Sequence, residues 1–364
     1  MPEVIDWQTV PDPYDAIQSV VTALNAGRLV VLPTEAGYVI AVSSRSPEAM
    51  ERLLPLLPKA SAPLFLALSS EVIARECLPA LSTIGRRLAR RLWPGPVTMT
   101  FAHLAIDTIP LAASLYLRSP AHEVARAVLK MLPDPLLLAD APPLATTGPQ
   151  LAAALGERVA VIIDAGPVRF PEGTTVVAVT GDRWQVLREG AVPAALIERQ
   201  TVCLIVFVCT GNTCRSPMAE ALCKKRLSER LGCTPEDLPQ RGFVVISAGL
   251  AAYSGGPAAP EAVAVAATYG GDLSGHASRG LTADLLFQAD YIVGMTRDHV
   301  EAIAEASAGL TEPPRLLSSE GDDLSDPVGR DRAVYEECAA AIWKHVDALT
   351  AEIVTTSPQR HESA

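Results

Sequence analysis

The sequence lacks any long hydrophobic run. Its continuous apolar segments, such as residues 29–32 and 202–208, are of strand length, well short of the roughly 18 residues that a membrane-spanning helix needs. The first ten residues, MPEVIDWQTV, also lack a basic segment followed by an apolar stretch, so we expect no secretion signal. These two absences predict a cytoplasmic protein that has no membrane partner.

Cysteine is nearly absent from the first half of the chain. Only Cys77 precedes residue 200, whereas six of the seven cysteines lie from Cys203 onward. A set of this kind, with an apparent nucleophile among its members, suits a reducing compartment better than a disulfide framework. We predict no metal site.

Positive charge is also scarce. The chain has 30 basic and 41 acidic residues, and residues 201–364 carry 13 basic and 22 acidic side chains. So acidic a half does not attract nucleic acid nonspecifically. Helical spacing would place a basic cluster largely on one side, and we interpret this cluster as a solvated helix face rather than an RNA-binding patch: Arg86, Arg87, Arg90 and Arg91.

Length and composition indicate two domains. With 364 residues and 49% hydrophobic content, the chain exceeds one ordinary core. We place the first domain at residues 10–196, the second at 201–354 and a flexible tail at 355–364. The first half mixes short helices and strands, which predicts an α/β domain. The second half alternates strands and helices, which predicts a doubly wound parallel sheet.

The second half contains a cysteine and an arginine that are separated by five residues, Cys209 and Arg215, and Ser216 follows at once. They lie between a predicted buried strand at 202–208 and a predicted helix at 217–231. On such a turn, backbone N–H groups and the helix dipole form an anion cradle that favours a cysteine thiolate. Arg215 can hold two phosphoryl oxygens in a planar fork. The pattern predicts cysteine-dependent phosphoryl transfer rather than a structural cysteine.

The residues between the cysteine and the arginine fit a phosphate-binding loop. Gly211 permits a positive φ and Asn212 tolerates it, while the Ser216 hydroxyl can donate to the thiolate. We assign the loop to Thr210, Gly211, Asn212, Thr213, Cys214 and Ser216.

Five segments, in this order, resemble the low-molecular-weight protein phosphatases over nearly the whole second half: VFVCTGNTCRSPMAEAL, ISAGL, GDLSGHASRGLT, ADYIVGMTRDH and LSDPVG. The resemblance implies a flavodoxin-like fold, a phosphorylated protein as partner and no cofactor. It implies that Cys209 is the nucleophile, that Arg215 clamps the phosphate and that Asp326, followed by Pro327, is the general acid. The reaction would pass through a phosphocysteine intermediate.

The same resemblance implies two supporting roles. Asn212 is expected to hold the unusual backbone of the loop and to be braced by His276, for which ordinary packing is the alternative. In this family, a cysteine at the position of Cys214 can form a disulfide with the nucleophile, which would silence the enzyme reversibly. A packing role for Cys214 is the alternative.

Two residues bear on the substrate. Thr213 occupies a position that tyrosine-specific members often fill with isoleucine, and it resembles the protein-arginine phosphatase branch. Val328 stands where aromatic residues usually flank a tyrosine ring, although it departs from the arginine branch as well. We favour phosphoarginine, with phosphotyrosine next. Arsenate reduction is not expected, because no resolving cysteine pair lies between Cys233 and Cys338.

The first half resembles the threonylcarbamoyl-AMP synthases (YrdC/Sua5-like), which use ATP, threonine and bicarbonate to prepare a tRNA modification. The segments that carry the resemblance are RLVVLPTEAGYVIAV, LWPGPVTMTF, LYLRSP, EGTTVVAV and VLREGAV. The residues that remain to form a nucleotide pocket, with ATP as its ligand, are Thr34, Lys59, Arg118 and Arg188.

Several positions of the synthase pattern are changed. The family's Lys-x-Arg is Lys59-Ala60-Ser61, its Ser-Ala-Asn aligns with Asp140-Ala141-Pro142, and its glycine after Tyr38 is Val39. A carboxylate at position 140 would repel a triphosphate, and a proline offers no N–H donor. We therefore predict an inactive synthase-like domain. Two alternatives stay open: a bifunctional protein that also makes threonylcarbamoyl-AMP, and an RNA- or nucleotide-binding protein.

Overall fold

The computed structural model describes residues 1–57, 63–69, 81–101, 115–142, 145–306 and 313–356. It divides the chain into two compact units, Met1–Gln200 and Thr201–Ala364. Lys59, Ser61 and residues 357–364 of the predicted tail lie outside the described residues. Within the described ranges, no helix has both the length and the apolar character needed to cross a bilayer.

The first unit is built on a mixed sheet. The described strands lie in the order β1-β8-β2-β3-β7-β4-β6-β5-β9-β10. Parallel and antiparallel pairs occur together, since β2 pairs antiparallel with β3 and parallel with β8. The strands are β1 (Glu3–Asp6), β2 (Val30–Thr34), β3 (Gly37–Ser43), β4 (Phe65–Ala67), β5 (Val97–Phe101), β6 (Leu115–Arg118), β7 (Leu136–Asp140), β8 (Val161–Asp164), β9 (Thr175–Thr180) and β10 (Arg183–Arg188).

Helices cover both faces of this sheet. Leu32 of β2 packs in one apolar cluster with residues of α1 and α4. The preceding residue, Val31, packs in a different cluster with residues of α2 and α5. Successive strand residues point to opposite faces, so the fully buried β2 lies between two helix layers. The helices are α1 (Pro13–Asn25), α2 (Pro47–Leu53), α3 (Thr83–Leu92), α4 (Glu123–Met131), α5 (Gly148–Leu155) and α6 (Ala194–Gln200).

Three features of the first unit differ from the sequence interpretation. The sequence pattern does not predict β1, which precedes residue 10 and pairs with β8. It does not predict β3 either, whose residues between the two ends are all buried. The interpretation of the arginine cluster is wrong for Arg87 and Arg90. Both are buried, because α3 is enclosed around most of its circumference.

The second unit has a parallel sheet with the strand order β12-β11-β13-β14, in which every pair is parallel. Ile205 and Phe207 of β11 pack with residues of α7, α8 and α11, whereas Val206 and Val208 pack with residues of α9 and α10. The predicted doubly wound α/β fold is confirmed. The elements are β11 (Cys203–Cys209), α7 (Arg215–Leu231), β12 (Phe243–Gly249), α8 (Pro260–Thr268), α9 (Ala283–Gln288), β13 (Tyr291–Gly294), α10 (Arg297–Ala306), β14 (Arg315–Leu316) and α11 (Arg332–Thr356).

The central strand of this sheet leads directly into the motif. Cys209 is the last residue of β11, and α7 begins at Arg215, two residues earlier than the prediction from Pro217. The carboxyl ends of parallel strands are where ligands bind in open α/β sheets. The motif therefore lies at the edge of the sheet that this topology favours for a site.

Candidate functional site

The loop after β11 surrounds a buried thiol. The Cys209 Sγ lies 2.9 Å from the Ser216 Oγ, and the Asn212 backbone N–H donates to the sulfur at 3.3 Å. Both partners follow from the short connection, because it returns the chain over the sulfur at the first turn of α7. A hydroxyl, an N–H group and a helix N-terminus all stabilise negative charge at this atom.

The carbonyl groups of the loop are turned outward. Those of Cys209, Thr210 and Thr213 accept hydrogen bonds at 2.9 Å from the backbone N–H groups of Leu250, Ala251 and Ala259. Because these oxygens are satisfied by neighbouring segments, the inside of the loop is left to N–H groups. A ring of N–H groups at a helix start suits a phosphoryl group.

Gly249, at the end of β12, allows the loop to lie this close to the sheet. A Cβ on Gly249 would be 2.6 Å from the Thr210 carbonyl oxygen and 3.0 Å from the Asn212 backbone nitrogen. Both atoms belong to the backbone of the loop, so any side chain at position 249 would push the loop away. The glycine of the ISAGL segment therefore has a steric reason.

Asn212 is the hub of the loop. It has a φ of 53° and is the one non-glycine residue with a positive φ in the described part of the chain. Its Nδ2 donates to the Ser216 Oγ at 3.0 Å and to the Ser247 Oγ at 2.8 Å. Its Oδ1 accepts the Arg279 N–H at 2.9 Å, and its carbonyl oxygen lies 2.8 Å from the His276 Nε2. The structure thus brings His276 to the loop backbone.

The network behind Asn212 continues into α7. The Ser247 hydroxyl donates to the Glu220 Oε2 at 2.6 Å, and the other Glu220 oxygen pairs with the Lys224 Nζ at 2.5 Å. Sequence reasoning missed Ser247 and Glu220. Both residues lie within segments that resemble the phosphatases, since ISAGL contains Ser247 and CRSPMAEAL contains Glu220.

Arg215 and Asp326 meet at the mouth of the loop. The buried Arg215 donates through Nη2 to the Asp326 Oδ2 at 2.5 Å and through Nη1 to the Leu324 carbonyl at 3.2 Å. Asp326 is 49% exposed, and its Oδ1 accepts the Val328 N–H at 3.2 Å. Pro327 between them is buried. An entering phosphoryl group could replace Asp326 as the partner of the guanidinium and leave the carboxyl group free for proton transfer.

Cys214, the last loop residue before α7, is buried. Its Sγ lies 3.4 Å from the Tyr335 hydroxyl and 3.7 Å from the Thr213 Oγ1. Burial raises the pKa of the Cys214 thiol, so this sulfur favours the neutral form. Sequence reasoning did not identify Tyr335, which reaches the loop from α11.

Thr210 is bound to a histidine that sequence reasoning also missed. The Thr210 Oγ1 lies 3.0 Å from the His299 Nε2, and the Thr296 Oγ1 lies 2.9 Å from the His299 Nδ1. Burial and then the nearby charge of Arg215 lower the pKa of His299, so the ring is neutral at neutral pH. The segment MTRDH contains this residue, but its spacing did not show that it would face the loop.

The first unit has a cavity of about 350 Å³ that brings together Arg118, Asp140, Pro142 and Arg188. Thr34 lies beside it, since the Arg118 Nη2 is 3.3 Å from the Thr34 Oγ1. Three of the four nucleotide-pocket candidates are therefore at or next to one cavity. The fourth, Lys59, lies outside the described residues.

Two carboxylates, Glu35 and Asp140, lie near the arginines of this cavity. The buried Glu35 pairs with Arg118 at 3.3 Å and accepts the N–H groups of Ala121 and His122, the residues just before α4. Burial raises the pKa of Asp140, and the nearby charges of Arg118 and Arg188 offset only part of this rise. Sequence reasoning missed Glu35, although it directly follows Thr34 in the segment PTEAGY.

The two halves of the chain match different known proteins. Residues 204–359 match the family model of the low molecular weight phosphotyrosine protein phosphatases. Residues 22–190 match the Sua5/YciO/YrdC model, which is described as telomere recombination.

Individual relatives follow the same division. A probable low molecular weight protein-tyrosine-phosphatase, EpsP, of Ralstonia nicotianae is 37% identical over 152 residues, which cover 41% of this chain and 94% of that protein. A protein-arginine-phosphatase of Bacillus subtilis is 38% identical over 138 residues, with coverages of 36% and 85%. A putative threonylcarbamoyl-AMP synthase of Mycobacterium tuberculosis is 30% identical over 202 residues, with coverages of 53% and 92%.

Proposed function

Because this chain belongs to the low molecular weight protein phosphatases through its second half and to the Sua5/YciO/YrdC family through its first, we propose that it is a protein-arginine phosphatase with an inactive synthase-like domain. The chain is a phosphatase, and phosphorylated proteins are the substrates of its class. The observation that carries the proposed chemistry is the enclosed Cys209 thiol at the start of a loop whose Arg215 pairs with Asp326.

The proposed reaction has two steps and uses no cofactor. The Cys209 thiolate attacks phosphorus in line, and the bond from phosphorus to the guanidino nitrogen breaks while Asp326 protonates that nitrogen. Asp326, now a carboxylate, then takes a proton from a water molecule that attacks the phosphocysteine. The S–P bond breaks and inorganic phosphate leaves. Throughout, Arg215 neutralises charge on the phosphoryl oxygens.

Two residues of the second unit support phosphoarginine. The half-buried Thr213 offers a hydroxyl instead of an apolar wall, and Val328 is 60% exposed and does not form a stacking surface. The half-exposed carboxyl of Asp326 can pair with guanidinium nitrogens as well as protonate one. The identity with the B. subtilis protein-arginine-phosphatase is consistent with this choice.

One exposed aromatic residue supports phosphotyrosine as the second candidate. Tyr253 is 92% exposed and lies in the segment that follows Leu250 and Ala251, whose N–H groups bind the loop. Its ring is free to stack on a substrate ring. The identity with the R. nicotianae protein is consistent with this alternative.

Hydrolysis of matched phosphoarginine and phosphotyrosine peptides tests the proposal. We expect the larger kcat/KM for phosphoarginine and no turnover by Cys209→Ser, because a serine hydroxyl is a poor nucleophile at neutral pH. Cys233→Ser is the matched control, since Cys233 is a partly exposed free cysteine remote in sequence from the loop. Near-wild-type turnover by Cys209→Ser would contradict the mechanism, and a larger kcat/KM for phosphotyrosine would contradict the substrate class.

For the first unit we propose that threonylcarbamoyl-AMP is not formed at a rate typical of the family. Asp140 shares a cavity with Arg118 and Arg188, where a carboxylate opposes a triphosphate. Ser61 replaces a cation of the family pattern. ATP is the nucleotide to test, and the alternative of RNA or nucleotide binding without chemistry remains a further proposal.

Pyrophosphate release by the full chain tests this second proposal. The protein, with Cys209→Ser to silence the phosphatase, is incubated with ATP, threonine and bicarbonate. We expect no release, and partial recovery on adding Ser61→Arg, Asp140→Ser and Pro142→Asn. Robust release without these changes would show a bifunctional protein.

A further inference from the structure

The first turn of α10 contacts two separate parts of the phosphatase site. One is the loop that follows Cys209 at the end of β11. The other is the segment 317–326, which follows β14 and ends at Asp326. These segments are far apart in the sequence, so the position of the general acid relative to the nucleophile depends on tertiary contacts.

His299 provides the contact with the nucleophile loop. It is 5% exposed, and its two ring nitrogens lie within hydrogen-bond distance of the Thr210 and Thr296 hydroxyls. Thr296 is the residue just before α10, and its hydroxyl also accepts the backbone N–H of His299 at 3.3 Å. A ring held at both nitrogens has one orientation, so it fixes the side chain next to Cys209.

Arg297 and Asp323 provide the contact with the general-acid segment. The Arg297 backbone N–H donates to the Asp323 Oδ1 at 2.8 Å, and its guanidinium donates to the Gly321 carbonyl. The same segment is bound further on, where the Leu324 N–H donates to the Met295 carbonyl at 3.0 Å. Met295 and the first turn of α10 therefore hold the acid segment through contacts separate from those of Arg215.

We propose that the first turn of α10 is a positioning element that sets the geometry between nucleophile and general acid, with His299 and Arg297 as its positioning residues. The proposal rests on the roles proposed above for Cys209 and Asp326. Both positioning residues act through the protein groups that they bind. Their effect is on placement, to which phosphoryl transfer is sensitive, since a displacement of about 1 Å can reduce a rate by about a hundredfold.

The two contacts predict different kinetic signatures in the full-length protein. In His299→Asn, the amide lies near the position of Nδ1 and loses Thr210. In His299→Gln, the amide reaches the position of Nε2 and keeps Thr210. We expect His299→Asn to weaken inhibition by inorganic phosphate about tenfold. The turnover of p-nitrophenyl phosphate and that of phenyl phosphate should both fall by the same factor. His299→Gln, which keeps the contact with Thr210, should retain most of the phosphate inhibition and most of the turnover.

The double variant Arg297→Ala, Asp323→Ala should behave in the opposite way. We expect inhibition by phosphate to change much less than in His299→Asn, because the contact of His299 with the nucleophile loop remains. Turnover should fall about tenfold more for phenyl phosphate than for p-nitrophenyl phosphate, because only the poorer leaving group needs a well-placed acid. Exposed Glu301 of the same helix and buried His345 of α11 provide the controls Glu301→Ala and His345→Asn, which should show neither signature.

The outcomes separate this inference from the proposed function. Active Cys209→Ser protein would refute the function on which the inference rests. Inactive Cys209→Ser protein, together with His299 and Arg297 variants that lose activity on both substrates equally without any change in phosphate inhibition, would overturn the inference alone. Thermal unfolding of each variant identifies any that fails to fold, and the rescue by His299→Gln still tests the contact with Thr210.

Discussion

Replacement of Asn212 by alanine should disrupt both stability and phosphate binding. The variant loses three side-chain hydrogen bonds, to the Ser216 and Ser247 hydroxyls and to the Arg279 N–H. All are buried or partly buried, and each contributes about 0.5–1.5 kcal/mol. Alanine at a φ of 53° adds about 1–2 kcal/mol of backbone strain. The expected loss is about 2.5–6.5 kcal/mol in the free energy of unfolding.

Asn212→Gly is the matched control for the backbone term. It removes the same hydrogen bonds but adopts a positive φ without strain. The greater freedom of glycine in the unfolded chain offsets part of this advantage. We therefore expect the glycine variant to be more stable than the alanine variant by about 1 kcal/mol, which for a unit of this size is about 3 °C in Tm.

Calorimetry of the full-length protein measures the effect. The transition of the second unit is identified in the wild-type protein by its shift to higher temperature on addition of inorganic phosphate, since only the unit that binds a ligand is stabilised by it. Phosphate inhibition and kcat are measured on the same samples. A stable alanine variant, or an alanine variant more stable than the glycine variant, would refute the role of Asn212 as the strained hub of the loop.

Three further predictions concern substrate choice, oxidation and pH. Thr213→Ile should shift the ratio of kcat/KM values toward phosphotyrosine by about tenfold, and an unchanged ratio of peptide hydrolysis rates would place specificity elsewhere. Peroxide should give a reversible Cys209–Cys214 disulfide detectable by mass spectrometry, and sulfinic or sulfonic acid alone would contradict this protection. Lowering the pH should reduce the Tm of the second unit, because burial lowers the pKa of His299 and His345 from 6.5 while the unfolded chain binds protons from about that pH downward. His345→Gln should flatten this dependence, and an identical profile would contradict it.

The chemistry of the phosphatase loop could be predicted from the sequence. An apolar strand, a short turn and a helix in direct succession fix the positions of Cys209, Ser216 and Arg215 by local geometry, so their proximity needs no long-range contact. The resemblance to both families, read from ordered segments, is confirmed by the comparisons. The fold class of the second unit also follows from the alternation of strands and helices, since a parallel sheet requires crossover connections.

Tertiary structure decided the partners of these residues. The contacts of Thr210 with His299, of Cys214 with Tyr335 and of Asn212 with Ser247 join segments whose separation in sequence carries no signal of contact. The same holds for the Arg118–Glu35 pair beside the cavity of the first unit.

Burial was the other property that local pattern could not supply. Arg87 and Arg90 have the spacing of an exposed face, yet both are enclosed, because burial depends on what packs around a helix and not on the helix alone. The sequence by itself determined which groups of the loop attack and bind the phosphoryl group, since covalent order places Cys209 and Arg215 at the two ends of one short loop. Only the tertiary structure decided what holds those groups in place, since hydrogen bonds between distant segments form only when the sheet and its helices are assembled.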